Sequence, residues 1–191
     1  MQNQVEQYRF NTNERREILQ FVRRVIQCRL LGIEPPVIPD NPKLQELGSC
    51  FVTIRFKGAL RGCIGNIGAA EPLGNNLRRN ALNAAFHDPR FPELEMEEFD
   101  NIKIEVSILT PMRQISSPEQ FILGKHGILL EMAGHHAVFL PQVPGEQHWN
   151  KEETLCALSE KAGLDTFAWQ NPNCKFSVFE AEIFDENTTI N

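Results

Sequence analysis

The sequence predicts an α+β fold with a largely antiparallel sheet flanked by helices, on three observations. Apolar residues recur at the helical period over 12–31 and again from 72. They alternate with period two over 50–57 and 102–109. Helices and strands mix without the regular βαβ order of a parallel sheet.

Each element has a local cause. Asn11-Thr12-Asn13-Glu14 has capping-box spacing and precedes Ile18, Phe21, Val22, Val25, Ile26 and Arg29 on one helical face, so a helix is expected over 12–31, ended by Gly32. Pro35, Pro36, Pro39 and Pro42 make 33–48 an irregular connector. Val52, Ile54 and Phe56 form one face of a strand over 50–57, and Gly58-Ala59 turns it into a second short strand carrying Leu60-Arg61-Gly62-Cys63-Ile64-Gly65. Pro72 opens a helix with Leu73, Leu77, Ala81, Ala84 and Ala85 on one stripe, and His87-Asp88-Pro89-Arg90-Phe91-Pro92 stops it. Ile102, Ile104, Val106 and Ile108 alternate with Lys103, Glu105 and Ser107 in the clearest strand. A hairpin is expected from 127–132 and 136–140 around Ala133-Gly134-His135. A helix follows from the Asn150/Glu153 capping box to near Gly163, then a last strand over 174–184.

A length of 191 residues allows one domain or two small lobes around a shared core, and lets roughly 70% of the unfolded surface be buried without staples. Nineteen basic against twenty-five acidic residues give a net charge of −6 with no lysine/arginine block, so charge does not support nucleic-acid binding. No apolar run reaches membrane-spanning length and residues 1–10 lack an apolar h-region, which leads to the expectation of a soluble, cytoplasmic chain without membrane association. Five scattered cysteines without C-x-x-C spacing argue for free thiols.

The motif Leu60–Gly65 carries the chemistry. In an extended segment Arg61 and Cys63 share one face, while Leu60 and Ile64 anchor the other in the core. A neighbouring cation favours the nucleophilic thiolate, and Gly62 and Gly65 leave room for a ligand to approach the backbone. The thiol is then a nucleophile, a binding-site wall or simply a small packing residue. Asp88 and Arg90 either clamp a polar ligand or pair with each other. Glu105, on the polar face of a central strand, needs a partner such as Arg61 or Arg90 if that face is covered, which makes it either a buried ion pair or a base. In "FLPQVPGEQHW" Gln142, Glu146 and Gln147 put polar ends near the Trp149 indole, read either as a ligand site or as a helix-entry staple. His126, His135, His136 and His148 lack metal-ligand spacing, and neither a phosphate-loop lysine nor G-x-G-x-x-G after a strand is present, so no metal and no cofactor is expected.

The ordered words "FVTI", "LRGCIG", "AAFHDPRFPEL", "IEVSILTP", "GKHGILL", "FLPQV", "EQHW" and "LCALSEKAGL" resemble the AMMECR-type family, named after the Alport syndrome, intellectual disability, midface hypoplasia and elliptocytosis chromosomal region protein. The resemblance spans about residues 10–185 as one domain, with 1–9 and 186–191 as extensions. It implies two intimately packed lobes with the LRGCIG segment at or near a groove, and a functional surface at Arg61, Gly62, Cys63 and Gly65. His148 falls at the variable position of the E-Q-x-W word and is not carried over. The resemblance also implies association with a Memo-like protein and a radical-SAM protein, and a role in nucleic-acid metabolism to which the acidic charge adds nothing. Two functions follow as expectations. One is a module binding a small molecule or protein partner through Gly62, Gly65, Asp88, Arg90, Gln142 and Trp149. The other is a cysteine-dependent enzyme with Cys63 as nucleophile, Arg61 as activator, and Glu105 or His87 as proton acceptor.

Overall fold

A computed structural model describes residues 9–187 and divides the chain into two compact units, one running to Thr110 and resuming at Glu182, the other Pro111–Ala181. The first contains α1 (Thr12–Leu31), α2 (Pro42–Gln45), β1 (Leu47–Phe56), β2 (Ala59–Gly65), β3 (Glu71–Pro72), α3 (Leu73–Phe86), α4 (Met96–Phe99) and β4 (Ile102–Leu109). The second contains β5 (Arg113–Ile115), β6 (Gly127–Met132), β7 (His135–Phe139), α5 (Val143–Glu146), α6 (Lys151–Lys161) and β8 (Lys175–Phe179). The chain then returns through β9 (Ala181–Asp185). No helix among the described residues is long and apolar enough to cross a membrane.

In the first unit the sheet order is β2-β1-β4-β9, with β3 against the start of β1. Asn11 caps α1 through the expected box, its Oδ1 accepting from Asn13 and Glu14 N–H, and Gly32 ends the helix in the left-handed region at φ 65°. Ile18, Val22, Val25 and Ile26 from α1 and Leu77, Ala81 and Ala84 from α3 pack with Val52 and Ile54 of β1 and Ile104 and Val106 of β4 in one core. Glu186, just past β9, is pinned here too: its buried carboxylate accepts from the Arg23 guanidinium and from the Ile104 N–H at 3.0 Å.

The second unit has a four-stranded sheet, order β5-β8-β6-β7, with antiparallel pairs throughout. Phe121, Ile128, Leu130, Leu155, Leu158, Phe176 and Val178 form its core.

Several boundaries differ from the sequence reading for local reasons. The connector contains a turn of helix, α2, because Asn41 caps it and Pro42 suits a first helical position. The first hairpin turns at Lys57-Gly58, both at positive φ, as a two-residue turn needs, so Ala59 already pairs with Phe56. Ala133-Gly134 makes the second turn in the same way, which puts His135 and His136 in strand β7. The last alternating stretch is two strands, β8 and β9, separated at Glu180 and belonging to different sheets. The three-residue β5 carries too short a pattern to be seen in advance.

Candidate functional site

A bulge decides where the LRGCIG side chains point. Gly62 stands opposite Ile54 and Leu60 opposite Arg55, so Arg61 is the extra residue. Beyond it Gly62 and Ile64 face the core with Ile54 and Val52, while Cys63 shares the other face with Thr53. Leu60, expected in the core with Ile64, is 39% exposed because the bulge turns it out of phase; Ile64 does pack against the core.

At both glycines, expected to leave room for a ligand, the space that a Cβ would take is occupied by the protein itself. A Cβ at Gly62 would lie 2.0 Å from the Ala84 carbonyl oxygen of α3, and one at Gly65 would meet the Phe51 ring at 2.2 Å and the Cys50 carbonyl at 2.5 Å. Strand β2 can sit this close to helix and neighbouring strand only without side chains at those positions.

The guanidinium expected to activate Cys63 is held elsewhere. Arg61 Nε donates to Glu98 Oε1 at 2.7 Å and Nη2 to Glu98 Oε2 at 2.9 Å, and the same group reaches the carbonyls of Pro92 at 2.8 Å and Glu93 at 3.1 Å. The Arg61 side chain is only 11% exposed. Such a fork fixes the planar group in one place, against the segment that ends in α4.

Asp88 and Arg90 do pair with each other, and the pair also grips the motif. Asp88 Oδ2 accepts the Cys63 N–H at 2.9 Å, Arg90 Nη2 donates to the Cys63 carbonyl at 3.1 Å, and Arg90 binds both Asp88 oxygens at 2.7 and 2.9 Å. Two side chains thus fill the ladder position a further strand would take, closing the β2 edge. The thiol of half-buried Cys63 receives the Thr53 hydroxyl at 3.3 Å. Glu105 lies in the same cross-strand row, on the far side of Thr53 and two strands from Cys63. The Cα atoms of Glu105 and Cys63 are therefore about two strand spacings, roughly 10 Å, apart.

Gln142 and Trp149 belong to the second unit, away from the LRGCIG segment in sequence and in unit. Trp149 packs on its core with its ring 5.6 Å from that of Phe139, and Gln142 precedes α5 with a buried Oε1 that no described residue bonds. The packing contact is the staple-like reading of that strip.

Sequence reasoning missed Thr53, Glu98 and a buried asparagine network next to the motif. Asn76 and Asn80, one helical turn apart on α3, are 0% and 2% exposed. Asn76 Oδ1 accepts the Cys50 N–H at 3.0 Å, Asn80 Nδ2 donates to the Cys50 carbonyl at 3.0 Å, and both amides donate to Asn66 Oδ1, just beyond Gly65. Burial pushes the Cys50 thiol up to about 12. The signal was available: positions 76 and 80 adjoin the Leu73, Leu77, Ala81 and Ala84 stripe, where an amide must find partners.

The ion pairs give the site a pH dependence. Hydrogen bonds from Arg90 hold the Asp88 carboxyl far below its ordinary range, with the Cys63 and Arg90 N–H groups adding to this against the opposing effect of burial. Those from Arg61 lower Glu98. A carboxyl depressed in the folded state stabilises fully above its unfolded value, roughly 4, and loses that contribution as pH falls through the folded value. Below about pH 4 the Glu98 contacts should therefore release before those of Asp88. Amide exchange corrected for intrinsic rates should show the Glu95 N–H, bonded to Glu98, opening at higher pH than the Cys63 N–H, bonded to Asp88. The reverse order would contradict this assignment.

The AMMECR1 family model matches residues 19–184. Protein NEQ441 of Nanoarchaeum equitans is 38% identical over 179 residues, covering 89% of this chain and 99% of that protein. Protein PYRAB00100 of Pyrococcus abyssi is 40% identical over 183 residues, covering 88% of each. The crystal structure of uncharacterized protein PH0010 from Pyrococcus horikoshii superposes with a TM-score of 0.80 at 35% identity, over 88% of this chain and 89% of that one.

Proposed function

The chain belongs to the AMMECR1 family, and from that premise we propose that it is a partner-recognition module whose LRGCIG motif braces a binding surface. The observation that carries this reading is the use of Arg61 and Arg90. Both guanidiniums hold the 88–98 segment against β2, and the partner given to the Cys63 thiol is a hydroxyl. A nucleophile needs an adjacent base and an unoccupied activating group, and neither arginine meets the second requirement. The braced segment presents exposed Glu93, Glu95 and Glu97, with Met96 41% exposed among them and Leu60 exposed on β2. Exposed carboxylates on either side of an exposed apolar residue in one segment fit a basic partner surface, in line with the net charge of −6.

The partner class is a Memo-like protein of the same organism, the association the resemblance implies, with the radical-SAM protein in the same pathway. Titration calorimetry with the purified Memo-like protein tests it. Glu93→Lys with Glu97→Lys should weaken binding about tenfold and flatten its salt dependence, while Cys63→Ser should change affinity less than about twofold. Absence of binding removes this partner. A turnover abolished by Cys63→Ser, with the charge reversals silent, would replace the module by the enzyme.

A further inference from the structure

The second unit treats the two edges of its sheet differently. Along β7 a side chain covers part of the edge: Lys161 Nζ of α6 donates to the Val138 carbonyl at 3.0 Å, and the His135 ring is tied to the Ala162 carbonyl just past that helix, with Nδ1 at 2.9 Å. Along β5 nothing comparable is present among the described residues. Among the described residues, β8 alone bonds Arg113, Gln114 and Ile115, and Arg113 and Gln114 are exposed. An open row of N–H and C=O groups is a template for an added strand.

Beside this edge lies a cleft of about 350 Å³. Its floor is the cross-strand pair Ile115 and Phe176, and its walls are Pro118, Trp169, Pro172 and Cys174. The register connects the two features. Residues opposite each other in paired strands share a face, so an added strand would direct the residue opposite Ile115 toward the cleft side. Two positions along, its neighbour on that face would stand opposite Arg113. No described acidic residue pairs with Arg113, although the chain has an excess of carboxylates.

We infer that β5 and its cleft form a docking edge for an extended segment of a partner protein that carries a bulky apolar residue two positions from an acidic one. The backbone bonds supply attachment, the cleft selects the apolar side chain and Arg113 selects the charge. The short strand offers few ladder bonds, so selectivity rests on the cleft. The β5 edge belongs to the second unit and the 88–98 segment to the first, and the inference does not depend on the role of that segment.

The probe is the capped peptide Ac-Thr-Glu-Thr-Leu-Thr-Glu-Thr-NH2, which presents an acid on either side of the leucine and so serves both strand directions. Titrated into the full chain and followed by amide NMR shifts, it should perturb residues 113–118 and 169–176. Replacing its leucine by alanine should weaken binding about tenfold or more, from the apolar surface left in water. Arg113→Glu should weaken it about fivefold, and a peptide with lysine for both glutamates should recover that loss on the variant. N-methylation of alternate peptide amides should block binding on one edge of the probe and not on the other. Three results would overturn the inference: no shifts up to about 2 mM peptide, equal binding of the alanine peptide, or sedimentation showing the β5 edge closed by a second copy of the chain.

Discussion

Gly62→Ala should destabilise the first unit by about 3 kcal/mol or more, read as a lowered urea midpoint. The new Cβ would stand 2.0 Å from the Ala84 carbonyl oxygen and 3.0 Å from its carbon, both backbone atoms of a buried helix. No flexible side chain is there to move aside, so strand and helix must separate and the core between β1, β4 and α3 must loosen. Gly68→Ala is the matched control, because nothing lies within 4 Å of a Cβ there and its φ is unexceptional. That change should stay within about 0.5 kcal/mol. Equal stability of the two variants would refute the close-approach account of the motif.

Arg61→Ala should cost about 3 kcal/mol, well above an ordinary surface ion pair. The guanidinium is 11% and the Glu98 carboxylate 22% exposed, and the pair is bidentate. Removal leaves a largely covered carboxylate and two carbonyls without their donor. Arg61→Met combined with Glu98→Gln should recover part of the loss, since it is the stranded charge that is expensive. Denaturant unfolding of the two variants measures the difference. A loss under about 1 kcal/mol for Arg61→Ala would mean the 92–98 segment is held by other contacts.

What could be read in advance follows from how local each cause is. Helix α1 was legible because Asn11, Glu14 and Gly32 lie next to the backbone groups they satisfy, and β4 because its alternation runs for eight residues. The pairing of Asp88 with Arg90 was legible as one of two options, being two residues apart. The Arg61–Glu98 pair was not, since it spans 37 residues and either end has other plausible partners. The bulge at Arg61 was hidden as well. It depends on the register of β1 against β2, which period-two counting within one strand cannot reveal, and it moved Leu60 from the core to the surface. The glycines pointed correctly to a close approach. What approaches is the protein's own Ala84 and Phe51, which no pattern within the motif names.

The proposed function requires that Arg61 clamp the segment beside Cys63 and not activate the thiol. Alkylation by iodoacetamide near pH 6.5, resolved by cysteine with mass spectrometry, tests it in wild type and Arg61→Ala. Buried Cys28 and Cys50 report the integrity of the fold and should stay unlabelled in both proteins. The clamp account predicts faster labelling of half-buried Cys63 in the variant, by several-fold, because the 88–98 segment loosens over it. Slower labelling of Cys63 in a variant whose Cys28 and Cys50 remain protected would contradict the account and return Arg61 to the role of activator.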